Sequence, residues 1–282
     1  MLPLRDHNPS ERTPFVTWAL IAINIGVFLS YYPGIGDQPR LLMSFYTDWG
    51  LVPRLVSQGE QTQTIFTSMF VHGGWLHLGG NMLFLYIFGD NMEDQMGHFG
   101  YLIFYLASGV AAAFGQMMAD PFSTVPMVGA SGAIAGVMGG YLLLFPRARV
   151  DLLLILFVFF KVITIPAWLL LGLWFGLQLV SGSAGEAAGG GVAYWAHAGG
   201  FLAGVVLALP LWLKRGGPGF WKTTHGHPPH EESYHRARDR QIGARRGSRP
   251  EAPAPEVTGQ TRIPRAGHRR GSGPQSPWGG RR

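Results

Sequence analysis

The chain has 282 residues, 47% of them hydrophobic and only 13% charged, with 41 glycines, a composition that excludes a single compact soluble domain and points to a membrane protein. Cysteine is absent, which excludes thiolate nucleophiles, disulfides and thiolate zinc sites and leaves serine, histidine and carboxylate chemistry. The net charge of +6 is unevenly placed: from Gly216 onward 13 Lys/Arg stand against 5 Asp/Glu, whereas 9 stand against 11 before it.

Residues 1–14 are polar, carry Arg5 and Arg12 and lack the small-residue cleavage site of a secretory signal, so they are expected to form a cytoplasmic N-terminus. The first apolar run, 15–32, is followed by a mixed segment, 33–71, whose Trp49, Pro53 and Arg54 among apolar residues predict an amphipathic stretch in the membrane interface. Further apolar runs cover roughly 75–88, 101–118, 127–145 and 193–213, near the twenty residues that a ~30 Å hydrocarbon core requires. Residues 151–180 are apolar apart from a few positions such as Lys161, and as one helix would be about 45 Å long, too long for one straight span. A surface-skimming first part and a span from about Ile165 are expected there.

Charge supports that division. Arg5 and Arg12 precede the first run, Arg147 and Arg149 follow the fourth, and Lys214 and Arg215 follow the last; the positive-inside rule places all three sites in the cytoplasm, which six spans satisfy. The second, fourth and sixth spans then run inward in the same direction and carry His77 with Asn81, Ser131, and His197 in their outer thirds. His77 and Asn81 are four apart and share a helical face. A polar group inside a membrane is a functional-site candidate by default. A hydroxyl, an imidazole near neutrality to take its proton, and donors for a developing oxyanion make up the set that acyl transfer needs. No carboxylate lies near His197, so a dyad is expected rather than a triad.

At these residues the chain resembles the rhomboid family of intramembrane serine proteases. The resemblance takes in the run from Phe66 to His72, His77-Leu78-Gly79-Gly80-Asn81-Met82, the run from Phe88 to Asp94, Gly129-Ala130-Ser131-Gly132, and Ala196-His197-Ala198-Gly199-Gly200. It implies an all-α membrane protein, a six-transmembrane-helix bundle over 15–215. It further implies Ser131 as nucleophile, His197 as general base, and an oxyanion site from His77, Asn81 and the Ser131 backbone amide. The family cleaves transmembrane helices of other membrane proteins near their extracytoplasmic ends without a cofactor. Single-span substrates in the lipid bilayer of a bacterial plasma membrane, with both termini cytoplasmic, are the expected partners and setting. One departure from the family pattern stands at Ala135, where many members carry an aromatic residue against the histidine ring.

Other residues carry ordinary readings beside functional ones. Gly132, Gly136 and Gly140, and Gly200 and Gly204, repeat every four residues and predict close packing of the fourth and sixth spans. Asn81 could instead bond two helices, and His72 is read as a lip residue rather than a catalytic one. Glu93 and Asp94 are expected to pair with basic loop residues. Trp174 and Gln178 lie on the span that the resemblance makes a lateral gate, with lipid-facing and packing roles as the alternative.

The segment 216–282 is rich in Pro, Gly, Arg and His, without apolar periodicity, and is expected to be a disordered basic tail held against anionic lipid. It shows no nucleic-acid fold or metal spacing, and neither nucleic acid nor a metal is expected as a partner. A zinc protease would need H-E-x-x-H, which His72 and His77 do not begin. The competing function is a non-catalytic rhomboid-like protein that binds transmembrane clients.

Overall fold

The computed structural model describes residues 2–156, 159–184 and 193–228. Along these the chain forms β1 (Leu2–Asp6), α1 (Phe15–Ile35), α2 (Pro39–Trp49), α3 (Pro53–Ser57), α4 (Thr64–Thr67), α5 (Trp75–Ala119), α6 (Ser131–Leu144), β2 (Arg149–Leu156), β3 (Phe159–Pro166), α7 (Ala167–Ser183), α8 (Tyr194–Lys214) and α9 (Pro218–Thr224). The described residues are mostly helical, and among them three stretches are long and apolar enough to cross a bilayer: Phe15–Ile35, His98–Ala119 and Tyr194–Lys214. Ser131–Leu144 and Ala167–Ser183 are shorter apolar helices.

α5 is two helices joined at Gly97, whose φ of 72° breaks the regular backbone and suits a residue without a Cβ. The turn there is held from outside. Glu93, almost fully buried, accepts hydrogen bonds from the backbone N–H groups of Val16 (2.9 Å) and Thr17 (2.8 Å) and from the Thr17 hydroxyl (2.7 Å). It therefore satisfies donors that the first turn of α1 leaves without an intrahelical acceptor. Asp94 accepts from the Arg12 backbone N–H at 3.1 Å. Glu93 also bonds the His98 ring, and Asp94 meets the basic loop residue Arg12 through its main chain, so both carboxylates find basic residues as well as backbone amides.

The second arm of α5, together with α6 and α8, forms the center of the bundle, and glycines set the spacing. A Cβ on Gly200 would run into the carbonyl of Gly132, and one on Gly204 into the backbone of Gly136. On α6's other side, Gly132 and Gly136 face Ala112 and Ser108 of α5. The predicted small-residue contact between α6 and α8 is thus present, and Gly140 faces Ala208 of α8 as well as Met92 and Phe104. Dispersion over such a close backbone approach substitutes for the hydrophobic drive that lipid does not supply.

The expectation of an all-α chain is corrected by a three-stranded antiparallel sheet in the order β1-β2-β3. The run read as a surface-skimming helix is a hairpin. Val150, Asp151 and Leu152 are all buried, and Asp151 bonds across the strands. Asp151 accepts from Arg5 Nε (2.8 Å) and the Thr164 hydroxyl (2.6 Å) and pairs with His7 Nε2 (2.9 Å). Val162, Ile163, Thr164 and Ile165 are β-branched and favour the pleated backbone. Residues 2–6 are therefore a strand of this sheet and not a separate N-terminal end.

A second correction concerns the boundary at 216. α9 continues the fold, because Phe220 is buried and the Trp221 indole N–H donates to the Leu143 carbonyl at 2.9 Å. Two aromatic residues in seven give this short helix an apolar face to bury. The basic tail expected beyond it, from 229, lies outside the described residues.

Candidate active site

Ser131 is the first residue of α6, and the residue that aims it is Gly129. Its φ of 127° is open to glycine alone among ordinary residues, and a Cβ there would lie 2.8 Å from the His77 ring. The Gly129 N–H is anchored on the Ser68 carbonyl at 2.9 Å. The Ser131 amide belongs to the first turn of α6, where backbone N–H groups have no intrahelical acceptor.

His197 sits in the first turn of α8, and the glycine contact between α6 and α8 brings it against the serine. The distance from His197 Nε2 to Ser131 Oγ is 2.7 Å. The ring's other nitrogen, Nδ1, is 2.8 Å from Gln178 Oε1 on α7. Trp174, one turn earlier on α7, lies beside the same ring with centroids 5.7 Å apart and planes at 36°. The aromatic neighbour absent at Ala135 is thus supplied by another helix.

His77 and Asn81 open α5 and face the same cavity, of about 640 Å³, which Ser131, His197 and Trp174 also line. His77 Nδ1 accepts the Gly73 N–H at 3.1 Å, which leaves the ring hydrogen on Nε2 and makes that atom a donor on the side of Gly129 and Ser131. The Asn81 side-chain amide nitrogen is buried and has no hydrogen-bond partner among the described residues. An unpaired buried donor costs about 1–3 kcal/mol, so its persistence beside a serine hydroxyl fits an acceptor that arrives with a ligand.

His72 is fully buried, and both its ring nitrogens lack partners among the described residues. Its ring packs edge-on against His77 at 5.2 Å, and burial followed by the neighboring His77 pushes it down to about 4, so it stays neutral. The loop is held by the His72 backbone, where the Tyr31 hydroxyl donates to the carbonyl at 2.6 Å and accepts the N–H at 2.9 Å. The lip reading of His72 therefore rests on its main chain.

All four residues singled out in the sequence converge on one cavity. Gln178 was the partner that pattern alone did not select. A polar amide one turn after a tryptophan, on an otherwise apolar helix, was the available signal.

Comparison with known proteins places the chain in a family. The family model described as the Rhomboid domain matches residues 59–214. Rhomboid protein 1, mitochondrial, of Saccharomyces cerevisiae is 29% identical over 204 residues, 68% of this chain and 51% of that protein. Rhomboid-like protein 11, chloroplastic, of Arabidopsis thaliana is 31% identical over 134 residues, 47% of this chain and 42% of that protein. Rhomboid protease GluP of Bacillus subtilis is 32% identical over 130 residues, 46% of this chain and 24% of that protein. The chain spans about half the length of these relatives or less.

Proposed function

The chain belongs to the rhomboid family, and from that premise we propose that it is an intramembrane serine endopeptidase in which Ser131 is the nucleophile and His197 the general base. The observation that carries the reading is the 2.7 Å contact between Ser131 Oγ and His197 Nε2, in a cavity that also holds the unpaired Asn81 amide.

In this mechanism His197 Nε2 takes the hydroxyl proton as Ser131 Oγ attacks the substrate carbonyl, a role worth roughly 10²–10⁴ in rate. The oxyanion is met by Asn81 Nδ2, His77 Nε2–H and the Ser131 backbone N–H, donors already aimed before charge develops. The imidazolium returns its proton to the leaving amine, and water, activated by the same ring, releases the acyl group. The substrates are the transmembrane segments of single-span proteins, cut near their extracytoplasmic ends.

Six spans are proposed, with both termini on the cytoplasmic side of a plasma membrane. Helices at each of the six expected positions support that count, and Arg12, Arg147 and Arg215 at their ends support the orientation. Contact of the basic tail with anionic lipid completes the proposal.

The test is labelling of the purified protein with a fluorophosphonate, comparing wild type with Ser131→Ala and His197→Ala. Wild type is expected to label and both variants to lose labelling. Equal labelling of all three overturns the proposal. Labelling without cleavage of a single-span protein in liposomes favours the client-binding alternative.

A further inference from the structure

α7 is the least enclosed of the helices around the cavity. Trp168, Leu173, Leu177 and Val180 are each more than half exposed, and only Ala167, Leu171 and Gln178 are buried. The inward turn of Gln178 is therefore a specific placement. Of the neighbouring side chains it reaches His197, and of its own helix it reaches the Trp174 carbonyl, to which its Nε2 donates at 3.3 Å.

Those two contacts fix the amide's orientation. Its donor end is used on Trp174, so its oxygen faces the ring. An amide oxygen only accepts, which requires the imidazole hydrogen on Nδ1. Nε2 then presents a lone pair to the Ser131 hydroxyl, the tautomer a general base needs. The tilted contact of Trp174 with the ring adds a second restraint from the same helix.

We propose that Gln178 is a positioning residue that arms His197, completing a Ser131-His197-Gln178 relay whose third member is a neutral amide carried by α7. The inference rests on the hydrolase reading above and adds a regulatory element to it. Because the acceptor belongs to α7, displacement of that helix releases His197 Nδ1 and with it the tautomer and ring orientation, so the base is armed only when α7 is seated against α8. Phe175, stacked on Phe201 of α8 at 4.6 Å, and Trp174, tilted against the same ring at 6.2 Å, help seat it. A neutral acceptor does this without placing a buried charge in the bundle, and holds the imidazolium less strongly than a carboxylate would.

The experiment follows the rate of fluorophosphonate labelling against pH in the full-length protein, for wild type, Gln178→Leu and Gln178→Glu. Gln178→Leu removes the acceptor and is expected to slow labelling by about a hundredfold, the scale of a misoriented catalytic group. Gln178→Glu keeps an acceptor of the same length and adds a negative charge beside the ring. Its acid limb is expected to move to higher pH, with near wild-type rates above it. The other titratable ring facing the pair is His77 of α5, unchanged in both variants. Wild-type rates in Gln178→Leu, or an unmoved acid limb in Gln178→Glu, overturn the inference. Should Gln178→Leu not fold, the nearly isosteric Gln178→Glu decides. Loss of the hydrolase reading is seen separately, as labelling that survives Ser131→Ala.

Discussion

Glu93 Oε2 receives both the backbone N–H and the hydroxyl of Thr17, at 2.8 and 2.7 Å, from a helical residue 76 positions earlier in the chain. A carboxylate on α5 thus acts as the cap of α1, a part usually played by a residue next to the helix start. The N-cap position itself is Pro14, which contributes no side-chain bond.

Replacing that charged cap should be felt in stability and not at the cavity. Hydrogen bonds to a charged group contribute about 1.5–3 kcal/mol each, so Glu93→Gln is expected to lose about 2 kcal/mol and Glu93→Ala more. Thermal unfolding in detergent should show a midpoint lower by about 5 °C for Glu93→Gln. Fluorophosphonate labelling well below the transition should proceed at the wild-type rate.

Asn81 should behave in the opposite way. Its unpaired buried amide costs folding free energy, so Asn81→Ala is expected to keep or raise the unfolding midpoint. Loss of one oxyanion donor should lower turnover by roughly 10²–10³-fold. A large fall in the midpoint together with activity would identify Asn81 as a helix-bonding residue instead.

The sheet should carry a pH dependence through Asp151. Burial opposes its ionisation, but the hydroxyl of Thr164, the Arg5 guanidinium and His7 outweigh it and hold the carboxyl down to about 2. Its folded value lies below the ordinary ~3.9, so its stabilisation is complete above pH 4 and is lost as pH falls toward 2. Hydrogen exchange of the 2–6 amides is expected to accelerate over that window. Asp151→Asn should exchange faster at neutral pH and show no such step.

Much of this arrangement was readable in the residue pattern because lipid imposes simple rules. Length and apolarity locate α1 and α8, and four-residue glycine spacing gives the α6 to α8 contact, since close helix approach in a bilayer needs small residues. Ser131, His197, His77 and Asn81 stood out because polar groups are rare in such segments. The hairpin did not, because a continuous apolar run satisfies a helix and a buried strand alike, and its strand partner lies at the far end of the chain. The partners of Gln178 and Glu93 were equally hidden. They are fixed by tertiary approach, which no spacing within α7 or α5 encodes.

The pairing of β1 with β2 also sets an order of assembly. Arg5 leaves the ribosome 146 residues before Asp151, an interval of roughly ten to thirty seconds at ordinary elongation rates. During that time β1 has no strand partner, although α5, whose Asn91 donates to the Asp6 carboxylate at 3.1 Å, is already made. The sheet is therefore a late closure that joins residues 2–6 to a hairpin made only after α6, so its formation follows synthesis of the helix bearing the serine.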